Sequence, residues 1–593
     1  MNSILNYPLD NAKILRKKKS IRKALIANGH FTQKNIAILG GSTTAEIKNI
    51  MDLFLLKNGI EAHFYESEYN QFYEDAVFNT ESLTTFNPDI IYIHTTNVNI
   101  MQFPQACDSK EQVNALHDAE FKKFQSIWQA LSLLNCPIIQ NNFDLPQNRT
   151  LGNLDGYDYR GKTHFINNLN NAFAEAASQI EHLHLNDIHY LSSLIGLNTW
   201  FDRALWYQAK YAIGFSAIPE LAFSLSNIIN AIFGKTKKCL VLDLDNTCWG
   251  GVIGDDGTSG IHIGTETAVA ESFTSFQKYA KSLQERGIIL AVCSKNDLNN
   301  AELGLAHPDS ILQRDDFTAF KANWEHKHNN IIDIATEINI GLDSLVFIDD
   351  NPAERDIVQL NTQEVSVPNV GSDVIQFIDY IDHNGYFEAI TLSTDDLNRH
   401  TYYEQNKQRN DAQSTTTSYA DFLKSLNMNA KINAFTPLYL DRITQLTNKT
   451  NQFNLTTKRY TMSDIEAIAS DQQYITLYGR LSDKYGDNGL VAVSIGKIVD
   501  DTCHIDCWLM SCRVLKRDME MAMFDALAQQ CLQRGIYKIV GYYIKSKKNS
   551  MVAKLYKNLG FTQVDCSGDN TQWEIALTQD YNNKNQHIMV THD

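Results

Sequence analysis

The sequence predicts an α/β protein of several domains, and three observations carry that reading. The chain has 593 residues, too many for one hydrophobic core and enough for about three or four domains. Short apolar runs alternate with helical patterns, first from residue 36 and again from residue 239, the signature of parallel sheets with crossover helices. The hydrophobic fraction of 43% and charged fraction of 20% are those of a chain that folds into packed domains.

The run at 36–39 ends in Gly40-Gly41-Ser42-Thr43-Thr44, a helical pattern continues to residue 57, and strands are expected at 90–93 and 137–139. This first α/β unit is expected to span 1–225. A second, at 235–392, opens with the strand Cys239-Leu240-Val241-Leu242. A helix comes next with Phe273, Phe276, Ala280 and Leu283 on one face, then strands at 288–293 and 344–348 around a helix at 329–339. The polar residues 393–418 predict a helical linker with a loose tip at 408–417. Helix and strand signals alternate through a third unit, 419–578. The polar composition of 579–593 predicts a disordered tail.

Composition excludes several classes. Lys and Arg number 52 against 69 Asp and Glu, a net charge of −17, so the chain repels phosphate backbones and no nucleic-acid partner is expected. No apolar run approaches the roughly 18 residues a membrane helix needs. The basic N-terminal stretch has no apolar segment after it and reads as a solvated helix face, not a signal peptide. Ten cysteines without a CxxC pair fit a reducing, cytoplasmic setting. Cys503-His504-Ile505-Asp506-Cys507 could hold a metal but reads better as a strand.

The chemistry concentrates in the second unit. Its first strand ends in Asp243 and Asp245, followed by Thr247. A parallel strand delivers its ligands at its carboxyl edge, so both aspartates can enter one crevice. Gly250, Gly251, Gly254 and Gly257 make the next stretch turn-rich. The strand at 288–293 ends in Ser294, a hydroxyl donor suited to a phosphoryl oxygen. Lys327 immediately precedes a helix, which favours it over Lys321 as the cation for phosphate charge. Asp349 and Asp350 end another strand. Four acids at two strand ends repel one another without a cation, and oxygen-only ligands favour Mg²⁺. Only 48 residues separate Asp245 from Ser294, and 54 separate Ser294 from Asp349. Little remains for a large cap, so the site could admit the arm of a carrier protein.

This ordered set, DxDxT, Ser, Lys, then DD, resembles the haloacid dehalogenase superfamily. The resemblance implies a Rossmann-like core in which Asp243 takes the phosphoryl group as an aspartyl-phosphate. Asp245 is then general acid and later base. Thr247, Ser294 and Lys327 hold the phosphoryl oxygens. Asp243, the Asp245 carbonyl, Asp349 and Asp350 hold Mg²⁺ or orient its ligands. The wording DLDNTCWGGVIGDDG, Ser294-Lys295-Asn296 and FIDDNPAER is similar to the FkbH family, the class IIIC phosphatase-like group, with Asn296 a substrate-binding candidate. LTNKTNQFNLTTKRYT, DKYGDNGLV, SCRVLKRDMEMA and KNSMVAKLYKNLGF extend the likeness over residues 1–575. Such members take a glyceryl group from 1,3-bisphosphoglycerate, release phosphate and load an acyl carrier protein thiol in polyketide pathways, with an enzyme cysteine as relay. Polyketide members often read DCDNTLWGG. This chain has Leu244 at that cysteine, which leaves Cys248, and next Cys293, as acyl-acceptor candidates; each could equally be a small buried apolar residue. Alternatives are a stand-alone phosphatase of a small phosphomonoester, an acyltransferase to a sugar amine in surface-polysaccharide synthesis, or a catalytically weak scaffold in a biosynthetic cluster, which the intact acidic set argues against.

The flanking units carry weaker likenesses. The first resembles SGNH hydrolases, with Ser42 at the nucleophile turn, Asn97 after a later strand, and Asp187 with His189 spaced DxH instead of DxxH. The alternative is a degenerate domain that docks a partner. The third resembles GNAT acyltransferases through Asn549, Tyr556 and Gly560-Phe561. Arg513 and Arg517 stand where a pyrophosphate loop would enter its helix, and with Glu520 they are the binding candidates there. Bulky RVLKRDME replaces the glycine-rich loop, so backbone amides approach a pyrophosphate less easily. A pantetheine arm or acyl thioester is the ligand this implies, with a surface charge cluster as the alternative.

Overall fold

The computed structural model describes residues 2–27, 29, 31–414, 418–546 and 548–591. These form two compact units, Met1–Lys235 and Thr236–Asp593.

The first unit is a five-stranded sheet of β1 (Thr32–Gly40), β2 (Ile60–Glu66), β3 (Ile90–His94), β4 (Ile138–Asn141) and β5 (Leu183–Asn186), ordered β2-β1-β3-β4-β5. Every pairing is parallel. The carboxyl half of β1 and all of β3 are buried, as expected of strands covered on both faces. The boundary expected at 225 instead falls inside the helix Ile218–Ile232. Its buried side chains include Leu221, Leu225 and Ile229, so apolar helical periodicity carries the unit past 225.

His94, at the carboxyl end of β3, is fully buried. Its Nδ1 lies 2.7 Å from the Tyr92 hydroxyl and 3.2 Å from the Asn141 amide nitrogen. Burial pushes its pKa from 6.5 down to about 3. The neutral ring is therefore a stability term that is intact above pH 6.5 and is lost as pH falls toward 3. Urea unfolding at successive pH values should show His94→Gln flattening the wild-type slope below pH 6.5 by about 1.4 kcal/mol per pH unit. Equal slopes in the two proteins would reject this.

In the second unit, β6 (Cys239–Leu242), β7 (Ile289–Ser294), β8 (Phe317–Ala322) and β9 (Leu345–Ile348) form a parallel sheet ordered β8-β7-β6-β9. The helix Ala268–Glu285 buries Phe273, Phe276, Ala280 and Leu283, the face expected from its periodicity. Between β6 and that helix the described chain forms turns and one four-residue helix, Ile253–Asp256, so no cap domain is inserted there.

The same unit continues into a largely antiparallel sheet. Its strands are β10 (Met428–Asn433), β11 (Phe453–Asn454), β12 (Tyr474–Asp483), β13 (Gly486–Val499), β14 (Thr502–Met510), β15 (Lys538–Tyr543), β16 (Thr562–Ser567), β17 (Asn570–Ala576) and β18 (Ile588–Thr591). The path runs β16-β17-β15-β14-β13-β12-β10-β18. β14 and β15 are parallel and pair where Thr502–His504 meet Lys538–Val540. Beyond that point β11 pairs with Leu509 and Met510. The Leu455 amide donates to Trp508 and the Ile544 amide to Leu455, at 3.1 and 2.8 Å. The chain's own segment therefore bridges the two strands where they part.

The stretch 393–418 holds the helix Arg399–Ser414, and the rest of the expected loose tip, 415–417, lies outside the described residues. Arg409 of this helix is buried, with Nε and Nη2 donating to Asp483 at 2.7 and 2.8 Å. The tail expected to be disordered instead carries a strand: β18 pairs in parallel with β10. Tyr581 and the amides of Lys584 and Asn585 all donate to Asp525 at 2.6–2.9 Å. A few anchoring contacts outweigh a polar composition.

Candidate active site

The site is built at the carboxyl ends of β6 and β9. The Asp243 amide donates to Ile348 at 3.0 Å, and beyond it the Leu244 carbonyl accepts from the amides of Thr247 and Cys248 at 3.1 and 2.7 Å. Asn246 turns the chain at φ 56°, and its side chain accepts from the Gly251 amide at 2.9 Å. Gly251 has φ 92°, and a Cβ there would meet the Asp256 carboxylate at 2.7 Å, so this turn requires glycine.

Oxygens of Asp243, Asp349 and Asp350 lie within 4.8 Å of one another. Lys327, the first residue of the helix Lys327–Glu337, places its ammonium 2.9 Å from Asp243 and 2.6 Å from Asp349. Lys321 instead pairs with Glu337 at 2.8 Å, outside this cluster. Thr247 is buried and accepts from the Asp350 amide at 3.3 Å, and Ser294 is buried at the end of β7.

Burial, reinforced by Asp243, raises the Asp349 pKa against the pull of Lys327. Burial would lower the Lys327 pKa, but Asp243 and Asp349 outweigh it and hold the group as ammonium. Three carboxyl groups thus face one cation, an all-oxygen donor set with negative charge in excess, which fits a hard divalent ion.

Asp245 is held differently. One oxygen accepts from Trp249 Nε1 at 2.9 Å and the Ile253 amide at 3.1 Å, and the other from Asn296 at 3.0 Å. Burial raises its pKa against these bonds. Asn296 therefore reaches a candidate catalytic carboxyl. Sequence reasoning missed Trp249, although it closely follows the acidic motif. It also missed Arg355, which donates to the carbonyls of Asp349, Asp350 and Gly371 at 2.6, 2.8 and 3.0 Å and fixes the second acidic loop. Beside Asp350 a cavity of about 470 Å³ is lined by Asn246, His262, Ser272 and Asp373.

The structure corrects several expectations. Cys248 is fully buried and donates to the Asp243 carbonyl at 3.2 Å. Burial, then Asp243 and Asp245, push its thiol pKa well above the ordinary value. Cys293 is also buried, and burial raises its pKa. Neither is a ready thiolate for an acyl group, because low dielectric and neighbouring carboxylates both disfavour the anion.

In the first unit, Ser42 Oγ is buried without a hydrogen-bond partner. Asp187 accepts from Asn142 and the Tyr190 amide at 2.7 and 3.1 Å, capping its helix. His189 lies 3.5 Å from Asn170. The Asn97 amide donates to Asp144 at 2.8 Å. Among the described residues, no hydrogen bond joins Ser42 to a histidine, so no hydrolase triad is assembled.

In the third region, Arg517 is buried among Asp483, Asn488 and Asn406, at 2.5–3.4 Å. Glu520 is half-buried, and burial raises its pKa. Asn549 and Tyr556, expected to touch substrate, are core residues. Asn549 donates to Asn454 and Ile544 at 2.9 and 2.8 Å, and the fully buried Tyr556 donates to Tyr542 at 3.4 Å. Their polar atoms hold the bridging segment and β15 in place. Arg513 is half-buried and lines a cavity.

Residues 35–230 match the family model described as FkbH, N-terminal domain. The chain is similar to the N-terminal part of the protein BF1531 from Bacteroides fragilis, whose crystal structure contains a phosphatase domain complexed with Mg. The two are 29% identical with a TM-score of 0.59, over 64% of this chain and 99% of that one. Two acetyltransferase structures also match. The ribosomal-protein-S18-alanine N-acetyltransferase of Escherichia coli is 13% identical over 26% of this chain and 98% of its own, at a TM-score of 0.20. The PaiA N-acetyltransferase of Thermoplasma acidophilum, in complex with coenzyme A, is 14% identical over 25% and 99%, also at 0.20. No curated protein matches the chain.

Proposed function

We propose that this chain, which carries a haloacid-dehalogenase-type phosphatase domain, is an Mg²⁺-dependent phosphatase of a small phosphorylated molecule. The observation that carries this reading is the convergence of Asp243, Asp349, Asp350 and Lys327 at one sheet edge. Asp243, Asp349 and Asp350 would hold the ion, which supplies positive charge against the transferring phosphoryl group. Asp243 attacks phosphorus, and the leaving oxygen departs with a proton from Asp245. Water then attacks the aspartyl-phosphate, with Asp245 as base. Thr247, Ser294 and Lys327 hold the phosphoryl oxygens. Trp249, Ile253 and Asn296 keep Asp245 oriented until substrate arrives.

A second reading adds acyl transfer. The uncapped site and its neighbouring cavity leave room for a pantetheine arm. The carrier protein's thiol would then attack the carbonyl of an acyl phosphate such as 1,3-bisphosphoglycerate, forming the thioester as inorganic phosphate leaves with the thiol's proton, and hydrolysis of the remaining phosphomonoester at Asp243 would give the glyceryl group. Burial of Cys248 favours direct attack by the carrier thiol over an enzyme-bound thioester.

The test combines phosphate release with intact-protein mass spectrometry, using Mg²⁺, 1,3-bisphosphoglycerate and a phosphopantetheinylated carrier protein. Magnesium-dependent release from simple phosphomonoesters, with no carrier adduct, supports the phosphatase alone. A glyceryl adduct on the carrier supports acyl transfer. No release from any phosphate ester sinks both. Cys248→Ala should keep phosphate release within about threefold of wild type, since it removes a small buried side chain outside the reacting set. A glyceryl adduct mapped to Cys248 would overturn that expectation.

A further inference from the structure

With no cap domain inserted after β6, the part of the substrate that leaves must be met by groups on the core itself. In the phosphatase reading above, that part departs with a proton from Asp245 and so lies beside this carboxyl. Asp245 is held on one oxygen by the Ile253 amide and on the other by Asn296. Val252, next to Ile253, and Leu298, two residues after Asn296, are both exposed. Asp297, between Asn296 and Leu298, accepts from Trp324 Nε1 at 2.9 Å. Two hydrogen bonds and one peptide unit thus connect Trp324 to Asp245.

Trp324 is 71% exposed. Of the chain's seven tryptophans, all among the described residues, it alone is exposed. Tryptophan is highly buried on average, yet this one is both exposed and fixed. Asp297 occupies the N-cap position of the helix Leu298–Leu305 but makes no side-chain bond to the helix. An aspartate there ordinarily accepts from an amide of the first turn; this one is turned to the indole instead. The backbone beneath the ring is also held. The Asn323 amide donates to the Ser294 carbonyl at 3.2 Å, and the Asn323 and Asn330 side chains exchange hydrogen bonds at 3.2 and 2.8 Å. Ser294 and Lys327, which hold phosphoryl oxygens in the same reading, therefore flank Trp324, one bonded to the residue before it and the other three residues after. With its N–H already bonded, the indole has its apolar face left to offer, and a pre-oriented ring loses little freedom when a ligand lands on it.

We propose that Trp324 is the platform on which the leaving group packs, and that the substrate is a phosphomonoester whose alcohol carries a flat, uncharged face such as an aromatic ring. The proposal rests on the phosphatase reading and names its substrate class. Trp324 determines specificity, Asp297 positions its ring, and Val252 and Leu298 extend the apolar rim around Asp245.

The probes are 3-phenylpropylphosphonate and propylphosphonate, which differ only in the ring and carry no hydrolysable ester. Each is titrated calorimetrically into the full chain with Mg²⁺. The phenyl compound should bind about tenfold tighter, as stacking on one aromatic side chain provides. Trp324→Ala should bring the two affinities within about twofold of each other, whereas Trp324→Phe keeps most of the preference because a flat ring remains. Asp297→Ala, which frees the indole, should lose part of the preference, and Asp297→Asn, which keeps an acceptor, should retain it. Equal affinities in the wild type, a preference that survives Trp324→Ala, an equal loss of both ligands in Trp324→Ala, or no binding of either at millimolar concentration would each overturn the proposal. Equal affinities are also what a ring reserved for a protein partner would give. Phosphate release is measured separately. Release without the ring preference would overturn the platform and leave the phosphatase reading, while the preference without release would sink that reading and support the platform.

Discussion

Asp243→Asn is expected to reduce magnesium-dependent phosphate release by about 10³-fold or more, as removal of a covalent nucleophile does. Asparagine is nearly isosteric and leaves the backbone bond to Ile348 intact. Its amide oxygen is a poor nucleophile and carries no charge for the cation. The fold should survive, because the substitution relieves repulsion among Asp243, Asp349 and Asp350. The measurement is steady-state phosphate release beside a thermal melt. Near-normal release with an unchanged melt would remove Asp243 from the reaction. Lost release with a collapsed melt would show a folding defect instead.

Lys327→Met should act on stability as well as on turnover. Lys327 is 3% exposed and Asp349 fully buried, and the ammonium faces both Asp243 and Asp349. Removing it leaves two buried carboxylates without their cation, a loss of about 3–5 kcal/mol in metal-free buffer. Added Mg²⁺ should restore part of that loss, since an ion bound only by the folded state stabilises it by mass action. Urea unfolding in EDTA and in Mg²⁺ reads both effects. Lys321→Met is the control, expected to change stability by about 1 kcal/mol or less because its pair with Glu337 is solvent-accessible. Equal losses at both positions would contradict the assignment of Lys327 to the site.

The choice between these lysines illustrates how far linear order carries. Lys327 is favoured in the sequence because it immediately precedes a helix, and the structure makes it the first residue of that helix, against the ends of β6 and β9. The four aspartates are legible for the same kind of reason. Each lies at or just past the end of an apolar run, and a parallel strand directs its terminal residues to one edge. Trp249, Asn296 and Arg355 are not legible as partners of the acids. Their contacts depend on how segments about fifty residues apart, or on opposite sides of a turn, are brought together.

Local sequence suffices for the chemistry of the second unit: an acidic strand-end set, a cation to offset it, and too little intervening chain for a cap. Each of those groups is placed by its own strand or helix, so periodicity and order along the chain reveal it. Availability of the candidate groups is a different matter, and long-range packing sets it. Packing buries Cys248 beside Asp243 and Asp245, consumes Asn549 and Tyr556 in the core, and leaves Ser42 without a histidine partner. It turns part of a polar tail into β18, and carries Phe453–Leu455 into the gap between β14 and β15. The physical reason is common to all five. The cost of burying a thiolate or an unpaired polar atom depends on neighbours that adjacency in sequence does not reveal.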